Sequence, residues 1–170
     1  MRDTDYNAAA WIPALWSAIA LGKRIVTAII LHSTPKPAQL VAQPPAGAPS
    51  CSAHYHIDES GSVTQHVREA RIAFHSSNPK HAMYSDAHTI GITLERTDDT
   101  AQWPDQQLLA LAKLSAALRI RYGNIPILTH SDTSRPPSHI DDPANFPLLE
   151  LEVAVQRELD TSTAEPRMPV

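Results

Sequence analysis

Two histidines stand at the ends of aliphatic segments, where a folded chain often places side chains that do chemistry. His32 closes the run over residues 24–32, and His130 closes the run over residues 125–130. Both runs are rich in β-branched and aliphatic residues, which predicts buried strands, and functional residues collect where strands end in loops. If the two strands are neighbours with the same direction, both imidazoles reach one cleft.

Two imidazoles in one cleft raise the possibility of a zinc site. A catalytic zinc ion takes about three protein ligands and keeps one position open for water. Residues 138–143 could supply the third ligand, since they contain His139, Asp141 and Asp142. No compact metal-binding motif such as HExxH is present. The spacing alone therefore leaves two interpretations open, a zinc site or histidines that only make hydrogen bonds.

The elements that must position these histidines can be predicted from periodicity. The class is α/β (α+β), with a central mixed β-sheet flanked by helices. The pattern over residues 51–58 alternates between apolar and polar residues, which predicts a half-buried strand. Pro104 and Gly123 suit the beginning and end of a helix. The predicted strands cover 24–32, 51–58, 63–67, 89–94 and 125–130, the predicted helices 104–122 and 148–159, and long loops 35–50 and 76–87.

Length and composition exclude several classes of protein. The 170 residues, 42% of them hydrophobic, predict one catalytic domain over 1–160 and a C-terminal tail over 161–170. A net charge of −4 argues against a nucleic-acid partner. One cysteine excludes an internal disulfide framework. No apolar run reaches the roughly 20 residues that span a membrane. Residues 8–21 are mostly apolar, but no basic segment precedes them, so we expect no signal peptide. We expect a monomer that is synthesised in the cytoplasm.

Seven short segments occur in an order that resembles a known family. They are LHST at 31–34, SAHYHID at 52–58, GSVTQHV at 61–67, AFH at 73–75, IGITLE at 90–95, THS at 129–131 and HIDDPANFP at 139–147. The chain is similar to the zinc-dependent N-acetylmuramoyl-L-alanine amidases, a family that includes phage lysozyme-like amidases and peptidoglycan-recognition proteins. Each segment alone is weakly specific, but together they cover most of the chain.

The resemblance implies a ligand set for Zn²⁺. In the family, the first strand-end histidine, a second histidine and an aspartate or cysteine bind the metal. Carried over, the ligands are His32, His130 and one of Asp141 or Asp142.

The choice of aspartate depends on how the family's closing pattern, Lys-x-Asp-Pro-Gly-x-x-Phe-Pro, is aligned. Aligning its Phe-Pro with Phe146-Pro147 makes Asp141 the ligand and puts His139 in the lysine position. Aligning Asp-Pro instead selects Asp142 and puts Ile140 there. We prefer Asp141, because a site that develops negative charge requires a polar group.

The implied reaction is hydrolysis of the amide bond between N-acetylmuramic acid and L-alanine in peptidoglycan. The metal would lower the pKa of a bound water and polarise the carbonyl. His139 could stabilise the oxyanion, or it could be a loop histidine without a role. Cell-wall lysis by a phage-type endolysin and recycling of wall fragments both fit.

One departure from the family concerns the general base. Many bacterial members read Ile-Gly-Ile-Glu-Leu-Glu, but Thr93 replaces the first glutamate in this chain. A threonine hydroxyl cannot take up a proton near neutral pH as a carboxylate can. Other members use a tyrosine where Ala53 stands. Glu95 lies about 7 Å beyond Thr93 at 3.3–3.4 Å per residue, so it could substitute only if the strand end bends. Otherwise Glu95 faces solvent beside Arg96.

The remaining histidines receive smaller roles. His75 resembles a family histidine near the substrate groove, and we expect it to contact substrate. His54 resembles the histidine of the family's SAH segment and is expected to line the cleft. Four others are predicted to be surface or hydrogen-bonded residues: His56, His66, His81 and His88. Because Thr93 and Ala53 replace both familiar bases, a peptidoglycan-binding module with weak or lost catalysis is the alternative function.

Overall fold

The computed structural model describes residues 4–34, 52–76, 78–97, 102–135 and 142–164. Their strands are β1 (Ala10–Trp11), β2 (Ala18–Ile19), β3 (Ala28–Thr34), β4 (Tyr55–Ile57), β5 (Val63–Gln65), β6 (Arg71–Ile72), β7 (Thr89–Glu95) and β8 (Ile127–Thr129). The α-helices are α1 (Asp105–Tyr122), α2 (His130–Thr133) and α3 (Leu148–Ala164). Two short 3₁₀ turns, Ala82–Tyr84 and Asp86–His88, precede β7.

Six of these strands form one mixed sheet in the order β1-β5-β4-β7-β3-β8. β3 lies between β7 and β8 and is parallel to both. β7 is also parallel to β4, whereas β4 and β5 form an antiparallel hairpin. This mixed sheet with flanking helices confirms the predicted fold class. It also confirms that the strands bearing His32 and preceding His130 are neighbours with the same direction.

One face of the sheet carries the apolar core. Aliphatic residues alternate along β3 and β7, so Ile29, Leu31, Ile90 and Ile92 point to the same side. They pack in one cluster with apolar side chains of α1 and α3, including Leu111, Leu114, Leu118, Leu151 and Val155. Helix α1 begins after Pro104 and ends before Gly123, whose φ of 89° suits glycine. The opposite face of the sheet is left for the polar residues of the same strands.

The first predicted strand differs from the observed one at both ends. β3 begins at Ala28 rather than at residue 24. Arg24 lies before the strand, and its guanidinium donates to the backbone carbonyls of Ala87 and Asp86. β3 continues two residues past His32, because β7 is long enough to pair with Ser33 and Thr34.

Further differences lie at β4, at α3 and at the strand predicted over 125–130, since β8 covers only Ile127–Thr129 and His130 is the first residue of α2. The strand predicted over 51–58 is half-buried in expectation, but Tyr55, His56 and Ile57 of β4 are all buried, so both faces of this strand are covered. α3 extends to Ala164, four residues into the predicted tail. Hydroxyls near its end, such as that of Thr161, bond to carbonyls of the preceding turn. Among the helices described, none is long and apolar enough to span a membrane.

Candidate functional site

Strand register brings the two strand-end histidines together on the polar face of the sheet. Leu31 of β3 pairs with Thr129 of β8, so the residues that follow them, His32 and His130, lie side by side. On the other side of β3, His32 pairs with Thr93, and Thr93 pairs in turn with His56 of β4. Aligned residues of neighbouring strands point to the same face. His32, Thr93 and His56 therefore form a lateral row across the sheet, and His130, the first residue of α2, lies beside His32.

The His32 and His130 side chains form a buried pair suited to a metal. Their ring centroids are 4.9 Å apart. Two imidazoles bound at about 2.0–2.1 Å to one tetrahedral ion have ring centres roughly 5 Å apart. Both ring nitrogens of His130 are buried without a hydrogen-bond partner, and burial with two neighbouring rings, His75 and His130, holds the pKa of His32 well below its usual value. Neutral imidazole is the form that binds zinc, so the pair fits that ion.

The predicted third ligand lies in a segment that the structure does not describe. Asp141 and His139 both fall outside the described residues. Asp142 is described, and both of its carboxylate oxygens are engaged by Ser131, through the backbone N–H at 2.9 Å and the hydroxyl at 2.8 Å. The choice between Asp141 and Asp142 as the ligand stays a prediction. Within the described parts of the chain, no group of three His, Cys, Asp or Glu side chains has metal-binding geometry.

His75 lies against His32 rather than at an open substrate groove. Its Nδ1 is 3.1 Å from His32 Nε2, and its Nε2 is 3.2 Å from the Thr89 hydroxyl. The ring occupies the space above Gly91, where an added Cβ would stand 2.5 Å from the Cγ of His75. Burial and the Arg24 cation lower the pKa of His75 to about 3. Its side chain is buried in the described structure, and substrate contact by His75 stays a prediction.

His54 is 0% exposed, and the protein engages both of its ring nitrogens. The Gly91 N–H donates to Nδ1 at 3.0 Å. Nε2 must then carry the proton, which it donates to the Arg71 carbonyl at 3.1 Å. Burial, Arg24 and His75 hold the pKa of His54 well below its usual value. His54 lies next to His75, with ring centroids 5.9 Å apart, and its expected roles in lining the cleft and contacting substrate stay predictions.

The two candidate bases on β7 lie on the same face, as expected. Thr93 is buried between His32 and His56. Glu95 lies two residues further and pairs with Thr34. Burial, Asp58 and Glu59 raise the pKa of Glu95. A raised pKa makes a carboxylate a better proton acceptor near neutral pH, but whether Glu95 serves as the base stays a prediction.

Two buried histidines on the polar face were predicted to be surface or hydrogen-bonded residues. His56 is 5% exposed, and its Nε2 has no partner. His66 is 6.2 Å away between ring centroids, and its Nε2 is also buried without a partner. His66 donates its Nδ1 proton to the Ile12 carbonyl at 2.7 Å. Alternation placed His56 on the face of His54, but alternation alone does not show that both faces of β4 are buried.

Comparison with known proteins agrees with the fold and the order of the motifs. A family model described as N-acetylmuramoyl-L-alanine amidase matches residues 22–145. A crystal structure of AmpD in its selenomethionine form has a TM-score of 0.75 at 22% identity, covering 88% of this chain and 96% of that one. The amidase LysC from Clostridium intestinale has a TM-score of 0.64 at 19% identity, covering 87% and 97%.

A third similar structure contains a bound substrate. It is AmiD from E. coli in complex with anhydro-N-acetylmuramic acid-L-Ala-D-γ-Glu-L-Lys, with a TM-score of 0.63 at 21% identity, covering 85% of this chain and 66% of that one. At these identities the structures are evidence for the fold. No curated protein sequence matches the chain significantly.

Proposed function

The chain belongs to the N-acetylmuramoyl-L-alanine amidase family, and from this premise we propose that it hydrolyses the bond between N-acetylmuramic acid and L-alanine with a zinc ion. The observation that carries the proposal is the buried pair of His32 and His130. Their rings are 4.9 Å apart and lie at adjacent strand ends. Buried polar atoms are normally satisfied, and a zinc ion would satisfy the unprotonated ring nitrogen of His130, which has no hydrogen-bond partner among the described residues.

The proposed roles follow from where the residues lie. His32, His130 and Asp141 would hold the zinc ion, which supplies a Lewis acid and lowers the pKa of water. Both histidines stand in a buried layer, where little water competes for their nitrogens. His139 would face the developing oxyanion as a hydrogen-bond donor. The contacts from Ser131 to Asp142 attach the C-terminal end of the segment containing His139 and Asp141 next to β8.

The residue that serves as general base sets the expected rate. Thr93 can orient a water through its hydroxyl but cannot take up the proton near neutral pH. Glu95 would serve if substrate binding brings it to the metal. Since a positioned base typically contributes about 10²–10⁴-fold, we expect turnover slower than in a relative that has glutamate at the position of Thr93.

Peptidoglycan or its soluble muropeptide fragments are the proposed substrates. The fold relative AmiD holds an anhydro-muropeptide in its structure, which supports that chemical class for this chain. The action of an endolysin on intact wall and the recycling of fragments are both compatible with the site. A binding module with weak or lost catalysis is the second candidate, favoured by the absence of a carboxylate at Thr93 and of a tyrosine at Ala53.

Mass spectrometry of purified peptidoglycan tests the activity. The protein is incubated with the wall, with and without prior chelation of zinc, and the soluble products are identified. We expect stem peptides with a free L-alanine amine, released only by the zinc-loaded protein. Intact glycopeptide in both samples, with the protein pelleting with the wall, would instead support the binding module.

Two substitutions test the metal assignment itself. The variants His32→Ala and His130→Ala should each lose bound zinc, measured as metal per chain. The matched control is His81→Ala, because His81 is an exposed histidine in the loop before β7. Zinc near one per chain in His32→Ala would refute the proposed ligand set.

A further inference from the structure

None of the proposed roles of the zinc ligands, the oxyanion donor or the base uses the hydrogen bond between His32 and His75. It joins Nε2 of His32 to Nδ1 of His75 at 3.1 Å, and both side chains are buried. Between two imidazoles such a bond needs one donor and one acceptor nitrogen. The direction of the bond decides which nitrogen of His32 remains free.

The direction can be worked out from the next contact along the chain of hydrogen bonds. The Thr89 hydroxyl donates its one proton to the Ser85 carbonyl at 3.0 Å. Toward His75 Nε2, at 3.2 Å, the same oxygen can therefore only accept. The Asp86 carboxylate, 3.8 Å from Nε2, also favours a proton on that nitrogen. His75 thus carries its proton on Nε2.

A neutral His75 with its proton on Nε2 has a bare lone pair on Nδ1. The His75 ring is buried against two further buried imidazoles, those of His32 and His54, and a buried ring among other rings is neutral. His32 must then be the donor, with its own proton on Nε2. A neutral imidazole carries only one ring proton, so Nδ1 of His32 is left unprotonated and free to bind an ion.

Several contacts hold the His75 ring in the position where its Nδ1 accepts from Nε2 of His32. Its backbone N–H donates to Asp86 Oδ1 at 3.0 Å. The ring rests on Gly91, where any side chain would collide with it. Arg24 donates to the carbonyls of Ala87 and Asp86, which fixes the turn that presents Thr89.

We propose that His75 is a positioning residue, which accepts the Nε2 proton of His32 and so presents Nδ1 of His32 to the metal. The inference rests on the proposed zinc-dependent function. Groups that accept the remote N–H of a ligating histidine fix its tautomer and ring orientation, and their loss typically costs about 10–100-fold in metal affinity. His75 would thereby act on the metal through His32.

Two substitutions at position 75 separate this role from simple packing. His75→Asn keeps an oxygen acceptor close to the position of Nδ1, whereas His75→Leu fills similar space without an acceptor. The matched control is His56→Leu, a buried histidine of the same sheet face with no bond to His32 or His75. Zinc affinity is measured by competition with a chromogenic chelator, and the tautomer of His32 by ¹H–¹⁵N correlation spectroscopy of the histidine rings.

We expect His75→Leu to bind zinc about 10–100-fold more weakly, while His75→Asn recovers most of the loss and His56→Leu retains the wild-type affinity. In the metal-free wild type, His32 should carry its proton on Nε2. A proton on Nδ1, or an unchanged zinc affinity in His75→Leu, would overturn the role of His75 and leave the proposed function intact. A wild-type protein that binds no zinc would refute the proposed function and this inference together.

Discussion

Acid should destabilise this protein through His56, a buried imidazole in the row beside Thr93. Burial and the neighbouring His66 lower the pKa of His56 from 6.5 to about 4 in the folded protein. The unfolded chain therefore takes up a proton near pH 6.5 that the folded chain refuses. The contribution of His56 to the free energy of unfolding is therefore fully present above about pH 6.5, and it is lost as the pH falls toward about 4.

The size of the effect follows from the two pKa values. Each pKa unit corresponds to about 1.4 kcal/mol. Between about pH 7.5 and about pH 5, the shift from 6.5 to about 4 makes His56 cost at most about 2 kcal/mol of unfolding free energy. That is a large part of the 5–15 kcal/mol that is typical of a small domain.

The variant His56→Leu isolates this contribution. Leucine fills similar space and removes an unpartnered Nε2, so we expect little loss of stability at about pH 7.5. Denaturant unfolding is measured for both proteins at the two pH values, and the variant should lose about 2 kcal/mol less on acidification. Because each protein is compared with itself at the two pH values, any effect of the substitution that does not depend on pH cancels in this difference.

Thr64→Val is the matched control, because Thr64 pairs with His56 across the hairpin and carries no titratable group. Its stability should fall with pH in parallel with that of the wild type. If His56→Leu and the wild type lose the same free energy to within about 0.5 kcal/mol, the shifted pKa of His56 and the reasoning from burial are wrong.

Three further substitutions probe the site and its support. Thr93→Glu should raise kcat by about tenfold or more in the peptide-release assay, since it supplies a carboxylate base; Thr93→Val, as its control, should not. Gly91→Ala should cost about 1–3 kcal/mol of unfolding free energy, because the new Cβ would stand 2.5 Å from the Cγ of His75. Denaturant unfolding measures this loss, and an unchanged free energy of unfolding would contradict the close packing of the ring on Gly91. Glu69→Gln should destabilise the protein by about 2–4 kcal/mol, since the buried carboxylate of Glu69 accepts from the Arg121 guanidinium at 2.9 Å; a thermal midpoint equal to that of the wild type would contradict this.

Much of the architecture could be predicted from the sequence because it depends on local signals. The aliphatic runs before His32 and His130 encode strands through their β-branched residues. Pro104 and Gly123 mark the two ends of α1, since each suits one helix terminus through its backbone. The order of the motifs along the chain was enough to indicate the amidase family, which the family model confirms.

The tertiary structure decided which of these residues meet and which are buried. The side-chain period along a strand is local, but the register between strands depends on packing across the whole sheet. That register puts Thr93 between His32 and His56. The burial of His56 depends on packing over both faces of β4. The bond from His32 to His75 joins residues 43 positions apart. No local pattern encodes such contacts, because they form only when the folded chain excludes water from both partners.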